Sequence, residues 1–158
     1  MKKLNKKGFT LVELLAVIVV LAIIMVLTIP SVLSSLGTAK QSAFLTYAKK
    51  MLNAAQEKYQ SDSLIGTPLL CFTVESLSDE TTSQYHGVVK IDTSSGKPVA
   101  KIQMYDASYQ IGITADTALG DAATGVSYKD IETINGNLKN DALQINNLSD
   151  TVKSEIKC

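Results

Sequence analysis

With 158 residues, 46% hydrophobic and 19% charged, and 15 basic against 15 acidic side chains, the composition is that of one globular domain plus an extended apolar element, and it excludes a disordered chain. Lys2, Lys3, Lys6 and Lys7 stand in the first seven residues, so the remainder carries 11 basic (15 less these 4) against 15 acidic side chains and offers no broad basic surface for nucleic acid. No low-complexity tract or internal repeat organises the chain.

The first element is a basic head followed by an apolar run, KKGFTLVELLAVIVVLAII over residues 6–24. A secretory signal peptide opens in the same way, but its small-residue cleavage site follows the apolar run. Here the run continues through Leu27, Thr28 and Ile29 to Pro30 without such a site. A cut ahead of the run, at Gly8, would leave the hydrophobic segment on the mature protein as an anchor. Residues 9–29 would form a helix of roughly 31 Å, close to the ~30 Å hydrocarbon thickness of a bilayer. Lysines before the run, with none after it until Lys40, place the N-terminus in the cytoplasm and everything beyond Pro30 outside it. Glu13 is the one charged residue inside the run, where a carboxylate costs about 2.5–3.5 kcal/mol at mid-membrane. It either snorkels to the headgroups from one turn inside the membrane or has a partner.

Beyond Pro30 the pattern turns amphipathic. Leu36, Ala39, Ala43, Phe44, Tyr47, Ala48, Met51, Leu52, Ala55 and Tyr59 recur at spacings of three and four, with Lys49, Lys50, Asn53, Gln56, Glu57 and Gln60 between them. The two patterns predict one continuous helix from about Phe9 to about Ser61, roughly 80 Å long, apolar all round in its first half and striped in its second. The stripe is a face for a packed globular domain. Pro30 has no N–H for the carbonyl of Val26 and its ring crowds that carbonyl, so a kink or local loosening is expected, unless Pro30 begins a second helix.

KKGFTLVELL, with the apolar run and Pro30 behind it, resembles the N-terminus of type IV pilins and the related pseudopilins over about the first 30 residues. The resemblance implies the pilin fold. It also implies that a prepilin peptidase, a membrane-embedded aspartyl protease, cuts between Gly8 and Phe9 and then methylates the new amine of Phe9. The chain would divide into a leader (1–8), a hydrophobic transmembrane and assembly helix (9–30), an amphipathic helix (31–62) and a globular head (63–158). The subunit would begin in the cytoplasmic membrane, single-pass, engage the inner pilus assembly machinery, and polymerise with its own copies into an extracellular filament on a bacterial surface. The filament would serve adhesion, aggregation and biofilm formation, or twitching motility; the alternative is a pseudopilin of a type II secretion or DNA-uptake system. Physical chemistry points the same way, because an all-round apolar helix outside lipid must bury every face, and heterologous contacts that do not close into a ring give an open fibre.

Glu13 and Pro30 are then the assembly residues. The amine of Phe9 is a cation in an apolar setting, and Glu13 lies four residues along the helix from it. The two could pair within one chain in the membrane; in the filament, the family implies, Glu13 pairs with the amine of a neighbour. Many pilins carry a helix-loosening glycine before the proline, whereas this sequence has none between Gly8 and Gly37.

After Ser61 the composition shifts to short segments rich in β-branched and aromatic residues: Leu69–Val74, Tyr85–Ile91, Val99–Tyr105 and Ser108–Ile113. HGVVKID followed by VAKIQMY reads as an antiparallel hairpin about the turn residues Thr93 to Pro98. An antiparallel sheet laid on the helix stripe gives a two-layer α+β domain. Residues 114–140, rich in small and polar side chains, read as a long surface loop with one strand or helical turn. Asp116, Asp121 and Asp130 within it invite a calcium reading, but their spacing matches no ligand loop and solvated turn residues are the expectation. Leu148, Val152 and Ile156 predict a short C-terminal helix.

Cys71 and Cys158 fall in the part placed outside the cytoplasm, where an even count reads as one disulfide, with buried free thiols as the other possibility. Its loop of roughly 88 residues would stabilise by about 4–5 kcal/mol in the chain-entropy model. Nothing marks an enzyme. The single histidine, His86, lies in a predicted strand; there is no G-x-S-x-G pattern, metal-ligand cluster or phosphate loop, and no cofactor is expected.

Overall fold

A computed structural model describes residues 10–78, 84–113, 128–136, 142–145, 148 and 150–158. Its first element, α1, runs from Leu11 to Ile65 and continues through Pro30, so the proline lies inside one helix and does not start a second. It ends a turn beyond the expected Ser61, where Gly66, whose N–H still reaches the carbonyl of Asp62 at 3.0 Å, is followed by Thr67 and Pro68. A residue before proline is steered out of the helical region, which closes the helix here. The chain divides into two compact units, Met1–Ala39 and Lys40–Cys158. In the first, every described residue up to Leu36 is exposed.

In the second unit α1 buries Phe44, Leu45, Ala48, Met51, Leu52 and Ala55. At 100° per residue these six occupy an arc of about 120°, and Leu36, Ala39 and Ala43 lie roughly 60–120° outside it. That is why these three, expected in the stripe, are exposed, and why Leu45, absent from the expected stripe, is buried. Three-and-four spacing is satisfied by two neighbouring tracks on a helix, and packing selects one of them.

The face rests on an antiparallel sheet. β1 (Cys71–Thr73), β2 (His86–Asp92), β3 (Val99–Tyr105) and β4 (Tyr109–Ile111) form a meander; β6 (Leu143–Gln144) adds beside β4, and β5 (Lys129–Asp130) pairs with the other half of β3's edge. The hairpin register runs from His86 opposite Tyr105 to Asp92 opposite Val99. Its turn is closed by Gly96, at φ +76°, donating to the carbonyl of Thr93 at 3.1 Å, and by Asp92, whose Oδ1 accepts from the Ser94 N–H and hydroxyl. Strand alternation turns Phe72, Val89, Ile91, Ala100, Ile102 and Met104 toward the helix core. Tyr47 stacks on Tyr85 with ring centroids 4.1 Å apart, and Phe44 lies 6.0 Å from both Tyr85 and Tyr109.

Of three local outcomes, the first and third differ from expectation. The strand foreseen over Leu69–Val74 shrinks to β1, because the Thr73 hydroxyl accepts from the N–H of Ser76 and caps a helical turn, α2 (Val74–Leu77). Within the region foreseen as a loop with one strand or helical turn, residues 129–136 form both, β5 and a short helix, α3 (Ile131–Gly136), whereas 114–127 and 137–140 lie outside the described residues. The far face of the sheet is also covered. α4 (Asp150–Glu155) belongs to the C-terminal segment, whose Val152 and Ile156 pack with Val88 and Ile113 in a second, smaller core. The α+β fold of a long helix on a small antiparallel sheet stands, with a partial third layer where two were foreseen.

Candidate functional site

The first unit presents a surface that no soluble domain leaves bare. From Leu11 to Ile29 the large apolar side chains of α1 are exposed, Leu11 at 81% and Leu27 at 72%. The segment spans roughly 28 Å on a helix long and apolar enough to cross a membrane. Exposure around the whole circumference demands a surrounding apolar medium, whether lipid or other helices.

Glu13 sits in the first turn of this helix. Its Oε2 accepts two hydrogen bonds from Thr10, one from the backbone N–H at 2.8 Å and one from the hydroxyl at 2.8 Å. In return the Glu13 N–H donates to Thr10 Oγ1 at 3.3 Å. The carbonyl of Thr10 takes the first helical bond, from the Leu14 N–H at 3.2 Å. This is a reciprocal capping box, in which the N-cap hydroxyl and the carboxylate three residues on satisfy each other's orphan backbone donors. The sequence carries the signal as Thr-x-x-Glu directly before an apolar run; weighing Glu13 as a snorkelling or paired charge leaves Thr10 out.

Around Pro30 several side-chain hydroxyls bond back to carbonyls of the preceding turn. Thr28 returns its hydroxyl to the carbonyls of Ile24 and Met25 at 2.9 and 3.4 Å, and Ser35 and Thr38 donate to Ser31 and Ser34 at 3.0 and 3.2 Å. Hydroxyls bonded back to the preceding turn weaken and bend a helix slightly.

A family model described as the prokaryotic N-terminal methylation motif matches residues 3–29. The chain carries the class III signal peptide of type IV pilins. No curated protein and no solved structure matches it. A prepilin leader of this kind implies processing by a prepilin peptidase, marks a pilin-like or pseudopilin-like precursor anchored through its apolar helix, and points to a structural protein. Gly8 and Phe9, the expected cleavage pair, lie outside the described residues.

The remaining expected residues lie in the second unit. Cys71 and Cys158 are bonded, with Cα atoms 5.5 Å apart. Because Phe72 faces the helix core, alternation turns Cys71 to the opposite face, where Cys158 arrives behind Val152 and Ile156. His86 opens β2 half-exposed, its Nδ1 2.8 Å from Glu75 Oε1. Asp130, considered as a calcium ligand, instead caps α3: its Oδ1 accepts from the Thr133 N–H at 2.7 Å. That bond, aided by nearby Lys101, holds the Asp130 carboxyl below the usual range. Asp116 and Asp121 lie outside the described residues, and among the described residues no three His, Cys, Asp or Glu side chains are grouped to hold a metal.

Proposed function

We propose that the chain is cut between Gly8 and Phe9, is methylated at Phe9, and polymerises through residues 9–30 into a type IV pilus filament displaying the head, 63–158, at the bacterial surface. The observation that carries this reading is a prepilin leader followed by an apolar helix segment with every face uncovered. In the cytoplasmic membrane lipid covers those faces; once extracted, only copies of the same helix can. Residues 31–62 link the assembly helix to the head. Glu13, paired with the Phe9 amine of a neighbour, sets the register, since a subunit entering out of step would leave a buried charge alone at a cost of several kcal/mol. Pro30 allows the helix to adjust as it leaves the bilayer. The homopolymer serves adhesion, aggregation or twitching motility.

The same leader also fits a pseudopilin of a secretion or DNA-uptake machine. N-terminal mass analysis of protein sheared from intact cells tests the main reading. A chain beginning with methylated Phe9 in a sheared filament fraction is expected, whereas uncut protein confined to the membrane would refute it. Deletion that removes surface filaments supports the pilus; loss of protein export or transformation with filaments intact supports the pseudopilin.

A further inference from the structure

Cleavage creates the amine that Glu13 is proposed to bind, so the uncut precursor holds Glu13 in an apolar helix before that cation exists. Among the described residues, it is Thr10 that holds the carboxylate. Both donors that reach it from the described residues come from Thr10, and both go to one oxygen, Oε2. An ionised carboxylate offers about four acceptor sites. The capping box and a later ammonium can therefore share it.

We infer that Thr10 is a positioning residue for assembly: its N–H and hydroxyl hold the Glu13 carboxylate at the head of α1 before cleavage and keep it oriented for the amine that cleavage releases. The inference rests on the assembly reading above. A glutamate at the end of an apolar helix otherwise samples several rotamers, and ordering it at the moment of docking opposes association. Thr10 completes that ordering in advance. The role needs a side chain that donates to the carboxylate and accepts from the Glu13 N–H at once, which a hydroxyl does. Valine has the same shape and can do neither. Aspartate accepts the N–H as an N-cap but sets a second negative charge against Glu13.

Thr10→Ser, Thr10→Val and Thr10→Asp therefore separate positioning from simple helix capping, with sheared filament yield expressed per processed chain so that altered cleavage does not enter. Thr10→Ser is expected to match the parent. Thr10→Val and Thr10→Asp are expected to fall by about ten-fold or more, the low end for losing a hydrogen bond to a charged group. Aspartate at full yield would show that capping alone matters and would overturn the inference.

Amide hydrogen exchange on the uncut precursor in lipid nanodiscs provides a readout that needs no filament. In Thr10→Val the Glu13 amide should exchange faster. In Thr10→Asp the Glu13 amide should stay protected while the amide of residue 10 speeds up. Unchanged exchange in both variants overturns the inference. If the unsubstituted chain forms no filaments although these exchange patterns appear, the assembly reading falls while the capping of Glu13 by Thr10 is upheld.

Discussion

Removing the Cys71–Cys158 bridge tests how the head keeps its C-terminus. The bond joins residues 87 apart, and the chain-entropy expression gives about 4.6 kcal/mol at 25 °C for a closed loop of about 88 residues. A second contribution comes from what the bridge holds down: Val152 and Ile156 are each only 7% exposed, against Val88 and Ile113. Truncating a buried isoleucine to alanine costs roughly 2–5 kcal/mol, and these positions, in a small cluster with few buried neighbours, belong near the lower end. If the bridge keeps this segment docked, the two perturbations are coupled. Cys71→Ser/Cys158→Ser should lose about 3–5 kcal/mol, and Ile156→Ala should cost clearly less in that background than in the bridged protein, because the freed segment no longer holds its place. Urea unfolding of the mature chain in detergent, followed by tyrosine fluorescence, measures all four corners of this cycle. Equal costs of Ile156→Ala with and without the bridge would refute the docking argument, and a cysteine-free head as stable as the parent would refute the loop-entropy estimate.

Three further outcomes are expected. Gly87 has φ +148°, and a Cβ there would stand 2.1 Å from the carbonyl oxygen of Gln103 on β3; Gly87→Ala should destabilise the head by about 3 kcal/mol or more, and an unchanged thermal midpoint would contradict this geometry. Lys101 and Ser94 hold the Asp92 carboxyl well below the usual carboxylate range; a folded pKa below the unfolded one gives a contribution present at neutral pH and lost only as pH falls below the ordinary value of about 3.9. Acid titration should therefore show a shallower loss of stability below that pH in Asp92→Asn than in the parent, and parallel curves would discount the pair. Glu13→Gln should still be cleaved by prepilin peptidase but yield few filaments, and normal filament yield would remove Glu13 from register selection.

The leader and the apolar helix were legible in the sequence because both are written locally. A cleavage motif is a linear string, and a segment that must face lipid on every side must be apolar at every position, so no folding is needed to recognise it. The β2–β3 hairpin was legible for a similar reason: two alternating runs and a turn with glycine at the left-handed position lie next to one another, and the bounds of β3 agree with the expected Val99–Tyr105. The Thr10–Glu13 box is equally local, a hydroxyl and a carboxylate three residues apart directly before an apolar run.

What lay beyond the sequence depended on contacts between distant segments. Spacing of three and four along α1 admitted two tracks, and the sheet chose the one through Phe44, Ala48, Met51 and Ala55 while leaving Ala43 outside. The pairing of Lys129–Asp130 with Lys101–Ile102, and of Leu143–Gln144 with Tyr109–Gln110, involves strands too short to show periodicity; they exist because an edge of the sheet was there to receive them. Two cysteines allow only one intrachain pair, but only alternation on β1 decided that the bridge lies on the face away from α1. There it fastens the C-terminal segment over Val88 and Ile113. The sequence by itself determined what must be surrounded by an apolar medium; the tertiary structure decided which face of each element is buried, because burial is a property of pairs of surfaces and not of either alone.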